Sequence, residues 1–186
     1  MKRKVLVLGA SGFLGSHVTR ALLAREHDVH VFVRSSSNTS TIDTLPIAKH
    51  VGYLGDAGAL ASAMQGCSWV FHCIVDTRAW LYDPASLFRT NVEGLLWVMD
   101  AALEAKPEKF IYTSTYATIG RNPSAMSNEE DAFNWDGTPP AYVQSRVDAE
   151  NRFFDYCRER GLPGVACCVG NTYGEADVRP TPHGKL

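Results

Sequence analysis

Paired cysteines are missing from this sequence. Cys67, Cys73, Cys157, Cys167 and Cys168 form no C-x-x-C and no regular framework. That excludes a disulfide scaffold and reads as small buried hydrophobes in a reducing compartment, the cytoplasm. The neighbours Cys167 and Cys168 read as core residues, with a strained vicinal redox pair as the other reading. An excess of one charge is also missing: 18 Lys and Arg face 20 Asp and Glu, a net charge of −2. Neither nucleic acid nor an anionic membrane is expected as a partner. Long apolar runs are absent, so no segment is expected to span a bilayer. The basic start MKRKVLVLG is broken by glycines and Ser11 too early for a secretory leader. Six histidines are scattered without ligand spacing, and no metal site is expected. There are no repeats and no low-complexity tract.

What is present is a chain of 186 residues, 45% hydrophobic, enough for one domain with a sizeable core. Continuous apolar runs at 5–8 (VLVL), 29–33 (VHVFV), 69–75 (WVFHCIV), 110–112 and 165–169 (VACCV) read as strands, with a weaker one at 51–54. Such runs suit a parallel sheet covered on both faces. Helical patterns lie between them, at 13–24, 58–64, 84–106 and 140–160. In the third helix Phe88, Val92, Leu95, Met99 and Ala102 share a stripe, and in the fourth Val143, Val147 and Phe154 are expected to face inward. The alternation predicts an α/β fold, a doubly wound parallel sheet with right-handed crossovers. The polar stretch 121–139 reads as a long loop, a length that is functional or disordered in compact domains.

Gly9-Ala10-Ser11-Gly12-Phe13-Leu14-Gly15 stands between the first strand and the first helix. The context makes it a phosphate-binding turn of a Rossmann fold. Gly9 allows the tight turn, Gly12 admits a pyrophosphate to the helix N-terminus, and Gly15 lets helix and strand approach. An NAD site would place an acid after the second strand. Here Arg34 stands before Ser35, Ser36 and Ser37, a set suited to the 2′-phosphate of NADP, with NAD as the alternative.

With these motifs the sequence resembles the extended short-chain dehydrogenase/reductase family, which includes NAD-dependent epimerases and dehydratases and dihydroflavonol-reductase-like enzymes. The resemblance rests on the G-x-x-G-x-x-G turn, Gly55-Asp56, Val70–Val75 (VFHCIV), Asn91-Val92-Glu93-Gly94, Phe110–Thr115 and the Tyr142…Arg146 spacing. It implies cofactor contacts at Gly9, Ser11, Gly12, Phe13, Leu14, Gly15, Arg34, Asp56, Cys73, Ile74, Val75, Thr113, Tyr142, Arg146 and Val169. It also implies a catalytic set of Thr115, Tyr142 and Arg146, with Ser114 as runner-up to Thr115.

Tyr142 and Arg146 fall where that family has Y-x-x-x-K. Residues four apart share a helix face, about 6 Å apart along the axis. A fixed positive charge nearby lowers a phenol's pKa from about 10 toward the working range. Arginine keeps the charge but is bulkier, planar and unable to release a proton. Activity could be intact, slowed or lost, and a surface Tyr–Arg pair is the bland alternative. A second departure is Cys168-Val169, where the family commonly has Arg-Pro.

The implied organisation is a dinucleotide-binding domain over 1–174, followed at 175–186 by the start of a truncated substrate-binding region. The implied activity is hydride transfer between NADP(H) and a carbonyl or secondary alcohol of a sugar nucleotide or small hydrophobic molecule. The alternative is a non-catalytic dinucleotide sensor or scaffold. A homodimer through the two long helices is expected, with Leu87, Leu96 and Trp97 as surplus apolar surface.

Overall fold

The segment KVLVL forms β1 (Lys4–Leu8), and Val5, Leu6, Val7 and Leu8 are all fully buried. Alternate residues enter opposite faces of a strand, so only a central strand covered on both sides can bury four in a row. In this computed structural model, which describes residues 1–177, β1 is indeed central. The other strands are β2 (Asp28–Val33), β3 (Ala48–Val51), β4 (Trp69–His72), β5 (Lys109–Thr115) and β6 (Gly164–Val169). Every pairing is parallel, and the order is β3-β2-β1-β4-β5-β6. This is the doubly wound Rossmann arrangement, whose direction of winding reverses between β1 and β4.

The helices are α1 (Phe13–Ala24), α2 (Ala57–Met64), α3 (Ala85–Phe88), α4 (Gly94–Ala105) and α5 (Ala141–Arg160). On one sheet face Leu6, Leu8, Phe32, Val70, Phe110 and Tyr112 form a core with residues of α2, α4 and α5, including Leu60, Met99 and Phe153. On the other, Val5, Val7, Val29, Val31 and Val33 pack with Leu22 of α1 and with Ile42. Each large aliphatic side chain buried this way contributes about 1.5–3 kcal/mol.

Several expectations are corrected. The third strand lies at Ala48–Val51, not at 51–54. Tyr53 and Leu54 instead belong to the turn before α2, where the Asp56 amide donates to the Tyr53 carbonyl at 2.9 Å. The β3 sequence AKHV is an exposed edge with no apolar run to reveal it. The helix expected over 84–106 is interrupted by a π turn at Arg89–Glu93. The extra residue in that turn rotates the N-terminal part of the stripe. Leu87 and Asn91 are therefore buried, while Phe88 and Val92 are only half-buried. Leu87, 1% exposed, is a core residue and leaves the surplus surface to Leu96 and Trp97. In α5 the inward residue is Phe153, and Phe154 is 40% exposed. Of the cysteines only Cys67 is fully buried; Cys167 is exposed on the edge strand β6. Residues 121–139 contain no helix or strand, as read. The last part of the region expected at 175–186 lies outside the described residues.

Candidate active site

Backbone packing creates the turn after β1. Gly9 has φ 85°, a conformation that L side chains rarely adopt. A Cβ on it would stand 2.8 Å from the Cys73 carbonyl carbon and oxygen. A Cβ on Gly15 would lie 2.1 Å from the Gly9 oxygen. The turn, the start of α1 and the exit of β4 therefore touch backbone to backbone at the reversal point of the sheet, where open α/β sheets bind ligands. Gly12 is the N-cap of α1, and no side chain caps it. The first-turn amides of a helix have no partner within the helix, so they suit an anion such as a pyrophosphate. Ser11, Phe13 and Leu14 are half-buried around this turn.

Arg34 follows β2 and is exposed; its amide donates to Ser37 Oγ at 3.2 Å, and its carbonyl accepts from the Ser37 amide at 3.0 Å. Asp56 caps α2, its carboxylate accepting from the Ala59 amide at 2.9 Å. Cys73 and Ile74 are half-buried and Val75 is exposed, so the chain leaves the core here. Thr113 Oγ1 donates to Cys73 Sγ at 3.6 Å. Burial pushes the Cys73 thiol up to about 11, so it stays protonated at neutral pH.

At the end of β5 the two hydroxyl candidates separate. Successive strand residues face opposite sides. Ser114 turns toward α5 and donates to the Glu150 carboxylate. Thr115, paired in register with Val169, caps the short 3-10 turn at Tyr116–Thr118, its Oγ1 accepting from the Ala117 amide at 3.3 Å.

Tyr142 is half-buried in the first turn of α5. Ser145 Oγ donates to its carbonyl at 2.7 Å and accepts from Asn91 Nδ2 at 3.0 Å. Asn91 also grips the backbone of Asp76, accepting from its amide at 2.7 Å and donating to its carbonyl at 3.0 Å. This buried clamp joins the loop after β4 to the turn that carries Tyr142. Asn91 was legible only as part of a helix signature, and nothing in sequence spacing pointed to Ser145.

Arg146 is 1% exposed, which removes the surface-pair reading. Its Nη2 donates to the Thr113 carbonyl at 2.5 Å, and its guanidinium lies 5.1 Å from the centre of the Tyr112 ring. Nε and Nη1 are buried without a partner. His72 is equally buried, and burial first, then the Arg146 charge, lowers its pKa to about 3. Burial likewise raises Tyr112 to about 12, with Arg146 opposing and Glu150 adding to the shift. His72 and Tyr112 are thus neutral at pH 7. Sequence spacing missed this polar group because its members come from β4, β5 and α5. The residues fit a dinucleotide in two respects: the uncapped glycine turn suits phosphates, and Arg146 holds donors in reserve.

Comparison with known proteins shows the family and the fold. Residues 5–186 match the family described as the NAD dependent epimerase/dehydratase family. The chain belongs to that family. It is 30% identical to a dihydroflavonol 4-reductase of Arabidopsis thaliana over 184 residues, 89% of this chain and 48% of the relative. Among solved structures it superposes on gox2253 with a TM-score of 0.90 at 36% identity, covering 99% of this chain and 56% of that one. It superposes on the UDP-glucose 4-epimerase of Brucella ovis, solved with NAD, with a TM-score of 0.78 at 27% identity, covering 88% and 50%. The chain spans about half the length of the curated relatives it matches. The family is one of NAD(P)-linked reductases, epimerases and dehydratases. No helix among the described residues is long and apolar enough to cross a membrane.

Proposed function

We propose that this protein is an oxidoreductase that moves a hydride between NADP(H) and a carbonyl or secondary alcohol of a small molecule. The observation that carries the reading is the glycine turn packed against the exit of β4, with Tyr142 held in place through Ser145 and Asn91. The nicotinamide would supply or accept the hydride. Tyr142 gives or takes the proton at the substrate oxygen, and Thr115 orients that oxygen by a hydrogen bond. Arg146 places a fixed cation beneath the end of β5, and its unpaired Nε and Nη1 suit the ribose hydroxyls. Arg34 would read the 2′-phosphate. The remaining assigned contacts, at Asp56, Cys73, Ile74, Val75, Thr113 and Val169, border the same path from adenine to nicotinamide. Residues 1–174 form the dinucleotide domain, and 175–186 would begin a substrate-binding region. A homodimer through α4 and α5 and a cytoplasmic setting complete the proposal.

One observation favours a second reading, a dinucleotide sensor without turnover. The cation's one bonded nitrogen donates to the Thr113 carbonyl, under β5, and Nε and Nη1 bond neither the Tyr142 hydroxyl nor any other group among the described residues. The test that separates them is Tyr142→Phe, assayed for NADPH oxidation with a panel of carbonyl compounds. Loss of about 10²–10⁴ in rate, with cofactor affinity kept within a few-fold, is expected of the enzyme. A parent protein that binds NADPH but oxidises it with no member of the panel would favour the sensor.

A further inference from the structure

Residues 34–47 join the parallel strands β2 and β3 with no helix or strand of their own. Such a crossover usually carries a helix. Here buried and hydrogen-bonded side chains order it. Ile42 is fully buried and shares a core with Leu22 of α1 and Val31 of β2. The Asp43 carboxylate accepts from Thr39 Oγ1 at 2.8 Å and from Lys49 Nζ, on β3, at 2.6 Å. Arg20 reaches across from α1. Its Nη2 donates to the Thr41 carbonyl at 2.5 Å and its Nη1 to the Ser16 carbonyl at 3.4 Å.

Two hydrogen-bonded paths lead away from Arg20. On the helix side, the Ser16 amide donates to the Gly12 carbonyl at 2.9 Å, so the path ends at the glycine turn. On the loop side, three successive turns run from Thr41 back to Arg34. The Ile42 amide donates to the Thr39 carbonyl at 2.8 Å, and the Ser40 amide to Asn38 Oδ1 at 3.0 Å. The Ser37 amide donates to the Arg34 carbonyl at 3.0 Å, and the Arg34 amide to Ser37 Oγ at 3.2 Å. These local bonds fix the shape of the loop but not its place beside α1. Arg20 supplies the directional bond that crosses between them, where Ile42 supplies only apolar contact.

We infer that Arg20 is a positioning residue for cofactor selectivity: it sets the spacing between the glycine turn and the Arg34–Ser37 turn. This rests on the reading of Arg34 as the group that meets the 2′-phosphate. The ribose of NADP fixes how far its 2′-phosphate lies from its pyrophosphate. A site built on two separate elements meets both groups only if those elements are held in register. NAD has no 2′-phosphate and engages the glycine turn without the Arg34 turn. Loss of Arg20 therefore costs NADP and spares NAD. The planar guanidinium suits the task because it serves two carbonyls at once, whereas a lysine ammonium is a compact point charge.

The test is calorimetric titration of the full natural chain with NADPH and with NADH. Arg20→Met should weaken NADPH about fivefold, the worth of one hydrogen bond, and leave NADH within about twofold. Arg20→Lys, which keeps one donor, should lose less. In an Arg34→Glu background Arg20→Met should cost NADPH nothing further, because the contact it positions is already gone. Equal weakening of both cofactors would show that Arg20 only supports the fold. Unchanged NADPH affinity, or full additivity with Arg34→Glu, would also overturn the inference. Should Arg20→Met fail to fold, Arg20→Lys decides by the same comparison of the two cofactors. A parent that does not prefer NADPH, or that keeps its preference in Arg34→Glu, sinks the reading of Arg34 and the inference with it. An Arg34 effect with a silent Arg20 sinks the inference alone.

Discussion

Two arginines carry opposite kinds of evidence. Arg34 is exposed at the end of β2, where its side chain can reach a ligand at little cost. Arg34→Glu should weaken NADP binding about ten- to a hundredfold, the worth of a charge-assisted contact, and leave NAD nearly unchanged. Calorimetric titration with both cofactors checks this; equal losses would show that Arg34 does not read the 2′-phosphate. Arg146 is a buried cation with one hydrogen-bonded nitrogen and two unpaired ones. Such a group stabilises little, because its desolvation offsets its contacts. Arg146→Met should therefore lower stability by no more than about 1 kcal/mol, the worth of one hydrogen bond. NADPH affinity should nevertheless fall, since the reserve donors go with the guanidinium. Urea unfolding and NADPH titration of the same variant test both halves. Full cofactor affinity in Arg146→Met would show that Arg146 serves only the core.

At the level of elements, the π turn is the feature that sets the site's geometry. It turns Asn91 inward, where it bonds Asp76 twice and Ser145 once. Asn91→Ala would strand buried backbone groups of Asp76 and release Ser145. A loss of about 2–4 kcal/mol is expected in urea unfolding, given about 1–3 kcal/mol per stranded buried group. Turnover should fall as well, because the Tyr142 turn loses its anchor to β4. Unchanged unfolding would mean that the Asp76 groups find water instead. This turn also marks the limit of sequence reading. Buried strands β1, β2 and β4 were legible because their apolar runs are continuous, and the glycine turn was legible because its chemistry is local. A π turn leaves no spacing signal, and so the stripe through Phe88 and Val92 was misplaced by one residue. The apolar stripe through Val143 and Val147 leads to Phe154 and not to the buried Phe153 for a related reason. The inward face of α5 includes the polar residues Ser145 and Arg146, which an apolar pattern does not count. Exposed β3 gave too little apolar signal to be located.

The molecule as a whole records the burial of His72 in its response to acid. His72 lies between the Phe110 and Tyr112 rings, with centres 6.4 and 5.9 Å away, and both its nitrogens are unpartnered. Its folded pKa is lowered to about 3, whereas an unfolded histidine titrates near 6.5. Between these values the unfolded chain binds a proton that the folded chain refuses. Stability therefore falls as pH drops from about 6.5 toward about 3, by up to about 1.4 kcal/mol per pH unit from this group, and is insensitive to it above that window. His50, also lowered by burial and by its stacked neighbour His30, adds in the same direction. Asp43 and Asp76 are held below the usual carboxylate range by Lys49 and Arg78. Their stabilisation is present above the unfolded carboxylate value of about 3.9 and is lost only at lower pH. Urea unfolding at several values from pH 7.5 to pH 5 thus reads mainly the histidines. The parent should lose stability steadily below pH 6.5, and His72→Phe, which keeps a ring of similar size among the aromatics, should flatten most of that slope. Equal slopes in parent and variant would show that His72 takes up its proton inside the folded protein, which would require water or a carboxylate to reach it beneath the sheet.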